Sequence, residues 1–377
     1  MKVRALSFLL GCIMTSAAVA EMYHVYIGNG GTDGIAKVVL DTETGAFTHL
    51  RIVTPAHTPN FMVFSKDKPY CYSTNRSKDV DGKPRLGGVS AYLRTADGTL
   101  ELLQSRLTGG SGACHVSLDR SGKVLLVANY GSGSLASFKV KLDGSLSPAV
   151  SVPQHKGSSV HPKRQQRPHA HSIYASPDNK HVYAADLGTD AIEVYDLDVE
   201  TAEIKSIGSF KVPAGGGPRH MCFSHDGSII YVLNELSTSI TIMDRDVETG
   251  SLEVRKTVSL LGEGEGEDMT SSEIRMSDDG RFMYAANRDL ANKGRDSISV
   301  LVVDGEGGLK VIQTAAAGVW IPRHFDITPC GKNLLVAGQR SNFVVSHKRD
   351  TEAGTLSATG KRVAVKAPMW IGFVPKY

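Results

Sequence analysis

The sequence predicts an all-β fold, a seven-bladed β-propeller whose last blade is closed by strands from both ends of the chain. Three observations carry this. One hairpin outline recurs along the chain, it recurs about every fifty residues, and no window shows sustained helical periodicity. The clearest copy, residues 215–235, reads GGGPRHMCFSHDGSIIYVLNE. A glycine turn leads into an alternating segment that begins at Arg219 and His220. Asp226-Gly227 then offers the positive φ of a two-residue hairpin turn, and an apolar strand runs on to Asn234 and Glu235.

The same outline fits residues 59–65 with 70–75, 113–117 with 125–129, 170–176 with 182–186, 272–277 with 283–287 and 322–328 with 334–338. A half copy, residues 368–374, ends the chain. Measured at the residue before each turn (65, 117, 176, 224, 277, 328 and 374), the steps are 52, 59, 48, 53, 51 and 46. Units of this length with four short strands each are the signature of a propeller.

Residues 1–20 stand apart from the repeats. Lys2 and Arg4 precede an apolar run too short to span a bilayer, and Ala18-Val19-Ala20 forms a small-residue cleavage site before Glu21. The expectation is a signal peptide over 1–20, a periplasmic destination, and one propeller domain over 21–377. The remaining 357 residues divide into seven units of 51. In the mature chain, 40 basic residues face 39 acidic ones, which leaves no electrostatic footprint for nucleic acid or an anionic membrane. Neither nucleic-acid binding nor a membrane span is expected, and the chain reads as a monomer.

The first mature strand, residues 23–28, lacks the hairpin half that precedes such a strand in the other units. Residues 370–374 supply it, so both termini share the seventh blade and remove the free edges. Cys71, Cys114, Cys222 and Cys330 form no Cys-x-x-Cys pair and read as buried free thiols. Residues 153–168, PQHKGSSVHPKRQQRP, interrupt the regular spacing with a strongly basic loop. It feeds directly into His169 and His171, which places it over one mouth of the central channel.

Inner strands of a propeller converge on that channel, so polar residues at equivalent inner positions meet in space. The candidates are His115, His169, His171, Arg219, His220, Glu273, Arg323 and His324. The ends of the second strands add Asn129, Asp186, Asn234, Glu235, Asn287, Arg288 and Gln339. Each alone has a plain structural role: a turn histidine bonded to backbone, an arginine capping a carbonyl, an asparagine closing its own turn. Asn129, Asp186 and Asn234 fit that role best. A ring of His, Arg and Glu around a pocket is instead a candidate active site. No Gly-x-Ser-x-Gly elbow, P-loop or Rossmann glycine pattern is present, and His169-x-His171 lacks an obvious set of further metal ligands. The expected chemistry is acid–base catalysis by His and Glu with Arg stabilising an anion, without metal or cofactor.

Several segments then carry a resemblance: ACHVSLDRSGKVLLVANYGSGS around His115, HKGSSVHPKRQQRPHAHS, GPRHM, YVLNE, YAANR and the terminal PMWIGFV. Together they resemble the propeller-type 6-phosphogluconolactonase family, whose fungal relatives include a carboxymuconate-lactonising enzyme. The resemblance implies a seven-bladed ring acting on sugar or muconate lactones. It implies His171 as the catalytic histidine, Arg219 as the anion-binding arginine and Glu235 as the acidic residue, with Arg288 or Arg323 as a second arginine. His115, His169, His220, Glu273 and His324 are expected around the substrate. The signal peptide departs from the cytoplasmic chemistry of a phosphorylated sugar. The expected activity is hydrolysis of a six-carbon aldonolactone, either 6-phosphogluconolactone or, given export, glucono-1,5-lactone. The rivals are a carboxymuconate-type cycloisomerase and a non-catalytic binding propeller.

Overall fold

A computed structural model describes residues 21–31, 33–77, 86–262 and 264–375; the signal peptide expected over 1–20 lies outside the described residues. Among the described residues the chain forms 27 strands in seven sheets and no helix. Each sheet is an antiparallel blade, and its innermost strand contacts the innermost strands of the blades before and after it, so the ring closes.

The hydrophobic pattern explains the layering. Second strands such as Val124–Asn129, Ile229–Asn234 and Asn333–Gly338 are buried along their whole length, because a neighbouring blade covers each face. Outermost strands such as Glu203–Lys211 have one face in water and are mostly exposed. Six apolar clusters fill the spaces between blades.

Hydrogen bonds from one blade to the next are repeated as well. In five blades a second-strand tyrosine hydroxyl donates to a glycine carbonyl in an outer turn of the following blade. The pairs are Tyr26 to Gly98, Tyr72 to Gly144, Tyr183 to Gly250, Tyr231 to Gly307 and Tyr284 to Gly354, at 2.7–3.0 Å. Gly354 sits at φ +74°, and a Cβ there would collide with the Phe282 ring. Leu126 and Leu335 occupy the tyrosine position in the other two blades.

The inner turns are wider than Asp-Gly suggests. The Ser224 and Ile229 backbones pair across a four-residue loop, closed because Ser224 Oγ accepts from Ile229 N at 3.0 Å and Asp226 Oδ1 accepts from Ser228 N at 3.1 Å. Ser176, Ser277 and Thr328 repeat this closure. In the second blade Asp119, not Ser117, holds the position, with its Oδ1 2.8 Å from Val124 N. That blade also has three strands rather than four. Isolated bridges at Leu146, Ser151 and Gln154 take the place of the fourth, where the chain departs into the basic loop.

The terminal strands pair as the repeat demands. Pro368–Pro375 is the inner strand of the seventh blade and runs antiparallel to Met22–Asn29, with Val25 opposite Phe373 and Ile27 opposite Ile371. Trp370, 6% exposed, packs against Phe61 and Phe64 of the first blade at ring centroids 6.3 and 6.1 Å away. A chain ending at Ala367 is therefore expected to lose cooperative thermal unfolding, and Trp370→Ala to cost roughly 3–5 kcal/mol in urea titrations. An unchanged melting temperature in the truncated chain would contradict closure by the two ends.

Candidate active site

The channel owes its chemistry to a repeated irregularity. In five blades the inner strand slips register against the second strand within its first residues: at Ala113/His115, Ala170/Ser172, Pro218/His220, Ser271/Ile274 and Pro322/His324. The seventh blade slips at Gly28/Asn29, opposite Met369. In a regular strand neighbouring side chains point to opposite faces; a bulge re-aims the extra residue. Consecutive pairs therefore face the channel together. Asn60-Phe61, Arg219-His220 and Arg323-His324 line one cavity with Cys114 and Met369.

His115, His220 and His324, each following a bulge, build a floor with Phe61 of the first blade and Glu273. Phe61 fills its centre, with ring centroids 4.3 Å from His115 and 5.6 Å from both His220 and His324. Buried Glu273 accepts from His220 Nδ1 at 3.0 Å and from Arg275 Nη1 at 2.5 Å, and lies 3.2 Å from His324 Nε2. Burial pushes the His115 imidazole down to about 3 and holds His220 and His324 well below the usual histidine range. Neutral His220, donating to Glu273, presents Nε2 to Arg219 Nη1 at 3.1 Å. Glu273 thus orients His220, and His220 orients Arg219. Beneath the floor Arg275 pairs with Asp326 at 3.4 Å; burial outweighs that cation and lifts the carboxyl to about 6.

Above the floor lies the charged tier. Glu235 Oε2 is 3.0 Å from Arg219 Nε, 3.3 Å from Arg288 Nη2 and 3.9 Å from His171 Nε2. Its Oε1 accepts from Arg164 Nη2 at 2.8 Å. Burial raises the Glu235 carboxyl, but Arg288, Arg219 and Arg164 together hold it well below the usual carboxylate range. Burial, then Arg219 and His220, push His171 well below the usual histidine range, so the imidazole is neutral at pH 7. His171 Nδ1 is buried without a hydrogen-bond partner. Burial and neighbouring arginines draw Arg288 down to about 10 and Arg323 to about 9; both remain cations at neutral pH. Arg288 also donates to Ser271 O at 2.7 Å, whereas Arg323 has no hydrogen bond or ion pair to any described residue. Three guanidiniums thus share one carboxylate, and Arg323, beside Arg219 in the cavity lining, adds a fourth cation without a partner of its own.

The residues expected from sequence fall into separate layers. His171, Arg219, Glu235, Arg288 and Arg323 meet in the charged tier. His115, His220, Glu273 and His324 lie in the floor. His169 sits to one side, its ring stacked on Tyr130 at 4.5 Å. Asn129, Asn234 and Asn287 tie strands together through Ser and Thr hydroxyls, and Asp186 is engaged by His155 at 2.6 Å. Arg164, Tyr130 and Phe61 were not evident as site residues. Tyr130 follows Asn129 as Glu235 follows Asn234 and Arg288 follows Asn287, a positional signal open to sequence reading. Phe61 holds the apolar version of the position that is histidine in other blades. Arg164 lies outside any repeat, and nothing in the sequence marks it apart from the basic loop. The cysteines are free, as expected, but of the four only Cys71 is fully buried. Among the described residues no three His, Cys, Asp or Glu side chains gather to hold a metal ion, and no helix is long and apolar enough to cross a membrane.

A propeller ring with a blind polar channel and a buried His–Glu–Arg cluster defines the class. The model of the family described as "Lactonase, 7-bladed beta-propeller" matches residues 22–373, and the chain belongs to that family. It is 32% identical over 358 residues to the 6-phosphogluconolactonase of Bacillus subtilis strain 168, covering 93% of this chain and 98% of that protein. A 6-phosphogluconolactonase of Formosa agariphila is 30% identical over 338 residues, 88% and 93% of the two chains. Among solved structures, the periplasmic gluconolactonase PpgL of Pseudomonas aeruginosa superposes with a TM-score of 0.86 at 29% identity, covering 94% of this chain and all of that one.

Proposed function

We propose that this protein hydrolyses a six-carbon aldonolactone to its acid in the charged tier of the channel, and that it does so after export to the periplasm. The carrying observation is the buried cluster in which neutral His171 adjoins Glu235 while three guanidiniums share that single carboxylate and Arg323 stands unpaired beside Arg219. Such an excess of fixed positive charge suits an oxyanion intermediate and a carboxylate product. The relatives named 6-phosphogluconolactonase and the periplasmic gluconolactonase supply the substrate class.

His171 takes the role of base. Glu235 is held strongly ionised with both oxygens engaged by arginine, which makes it a weak proton acceptor and an organiser of cations instead. With Nε2 turned to Glu235, the open Nδ1 of His171 accepts a proton from water. The hydroxide formed bonds to C1 of the lactone, and the carbonyl electrons move onto oxygen beside Arg219 and Arg323. Collapse re-forms the carbonyl and breaks the bond from C1 to the ring oxygen, which takes the proton back from His171. The acid then ionises.

His171→Ala and Arg323→Ala are each expected to lower hydrolysis of glucono-1,5-lactone or its 6-phospho form about a hundredfold or more. Arg323→Ala should leave the melting temperature unchanged or raised, because no counter-ion is orphaned. Glu235→Ala should lower activity and melting temperature together, since Arg219 and Arg288 lose their shared partner. Near wild-type rates in all three variants would place the chemistry elsewhere.

The pH profile follows from the depressed His171. Protonation removes the base, and because its pKa lies well below 6.5, activity should persist as pH falls through 6.5 and fail only at lower pH. An acid limb centred at an ordinary histidine value would contradict this assignment. For export, N-terminal sequencing of periplasmic protein should begin at Glu21; intact Met1 in the cytosol would remove the periplasmic assignment.

A further inference from the structure

The basic loop over residues 153–168 is not a loose excursion. His155 Nδ1 lies 2.6 Å from Asp186 Oδ2, Ser159 Oγ donates to Asp190 at 2.5 Å, and buried Gln165 donates to Leu187 O and Asp190 at 2.9 and 2.6 Å. These anchors flank one long side chain that reaches back into the channel. Arg164 Nη2 donates to Glu235 at 2.8 Å and to Tyr130 Oη at 3.1 Å.

Arg164 differs from the other guanidiniums bound to Glu235. Arg219 and Arg288 are almost wholly buried and each also donates to a backbone carbonyl, Ser272 O and Ser271 O. The Arg164 side chain is 35% exposed and is held by two side-chain acceptors alone. Glu235 has two arginine partners without it. Beneath, the cavity over the Phe61 floor has a volume of about 10 Å³, room for roughly one water molecule. A six-carbon lactone cannot enter a space of that size beside Arg219 unless a neighbouring group moves, and of the three arginines on Glu235 only Arg164 is part-exposed and held by side chains alone.

Phe61, His115, His220 and His324 pack together below the charged tier, so a substrate whose carbonyl meets His171 and Arg219 must extend its C6 end the other way, toward the mouth from which the loop descends. We propose that Arg164 is a specificity-determining residue that leaves Glu235 on substrate entry and pairs with an anionic group at the C6 end, a phosphoryl group above all. The exchange leaves Glu235 ionised between Arg219 and Arg288. It gives the planar guanidinium a partner suited to two-pronged bonding. This inference rests on the lactonase function proposed above.

The test compares wild type, Arg164→Ala and Arg164→Lys on glucono-1,5-lactone and its 6-phospho form, with melting temperatures recorded alongside. Removal of Arg164 should lower the ratio of kcat/KM for the phosphorylated over the unphosphorylated lactone at least tenfold, chiefly through KM. Lysine should restore part of that ratio. An unchanged ratio overturns the proposal, including the case in which both activities fall together with the melting temperature. If wild type hydrolyses neither lactone, the lactonase function fails by itself. The inference is then decided by calorimetric titration with 6-phosphogluconate: binding weakened tenfold or more by Arg164→Ala supports it, and equal affinity, or no binding to either protein, overturns it.

Discussion

The antiparallel pairing of Pro368–Pro375 with Met22–Asn29 is the contact on which the rest of the ring depends. Seven twisted sheets around an axis leave one gap to be closed, and here the first and last parts of the chain meet in a single blade. Until that ladder forms, the first strand has no inner neighbour, and the first and sixth blades each face open space where the seventh should pack. The tyrosine-to-glycine bonds then act locally, each fixing one blade to the next, as Tyr183 to Gly250 does. Closure is a long-range constraint satisfied by local pieces.

Closure also gives the bulges their meaning. On an isolated hairpin, an extra residue at the start of an inner strand would only bend the chain. In the ring, the same slip brings Arg219 and Arg323 toward a common axis and sets His220 and His324 below them. The two layers have different physics. Floor histidines are neutral through burial, and one of them, His220, holds Arg219 above it in position. The upper layer keeps its charges because Glu235 offsets part of them, leaving a surplus that burial makes costly and that solvent would have screened.

That surplus carries a cost in stability which a purely structural channel would avoid. Arg323 is drawn down to about 9 by burial and by other arginines, without a carboxylate of its own. Local destabilisation at a site of this kind is characteristic of a surface shaped for a ligand.

The sequence by itself determined the propeller class, the sharing of the seventh blade and most of the charged tier. Those features are written in a repeat: apolar second strands must be covered on both faces, and residues at equivalent repeat positions must meet at the axis. Repeat positions put His171, Arg219, Glu235, Arg288 and Arg323 among a wider ring of candidates, and the family resemblance singled them out. Tertiary structure alone decided how they divide. Which residue of each inner pair lies in the upper tier or the floor depends on where the register slips, and periodicity does not encode a slip. The three-stranded second blade escaped for a related reason, since chain leaving a sheet early has much the same composition as a weak outer strand. Arg164 was hidden most completely. Its place beside Glu235 follows from a loop with no repeat partner, anchored through His155, Ser159 and Gln165 to Asp186 and Asp190 of the following blade by contacts that periodicity does not encode.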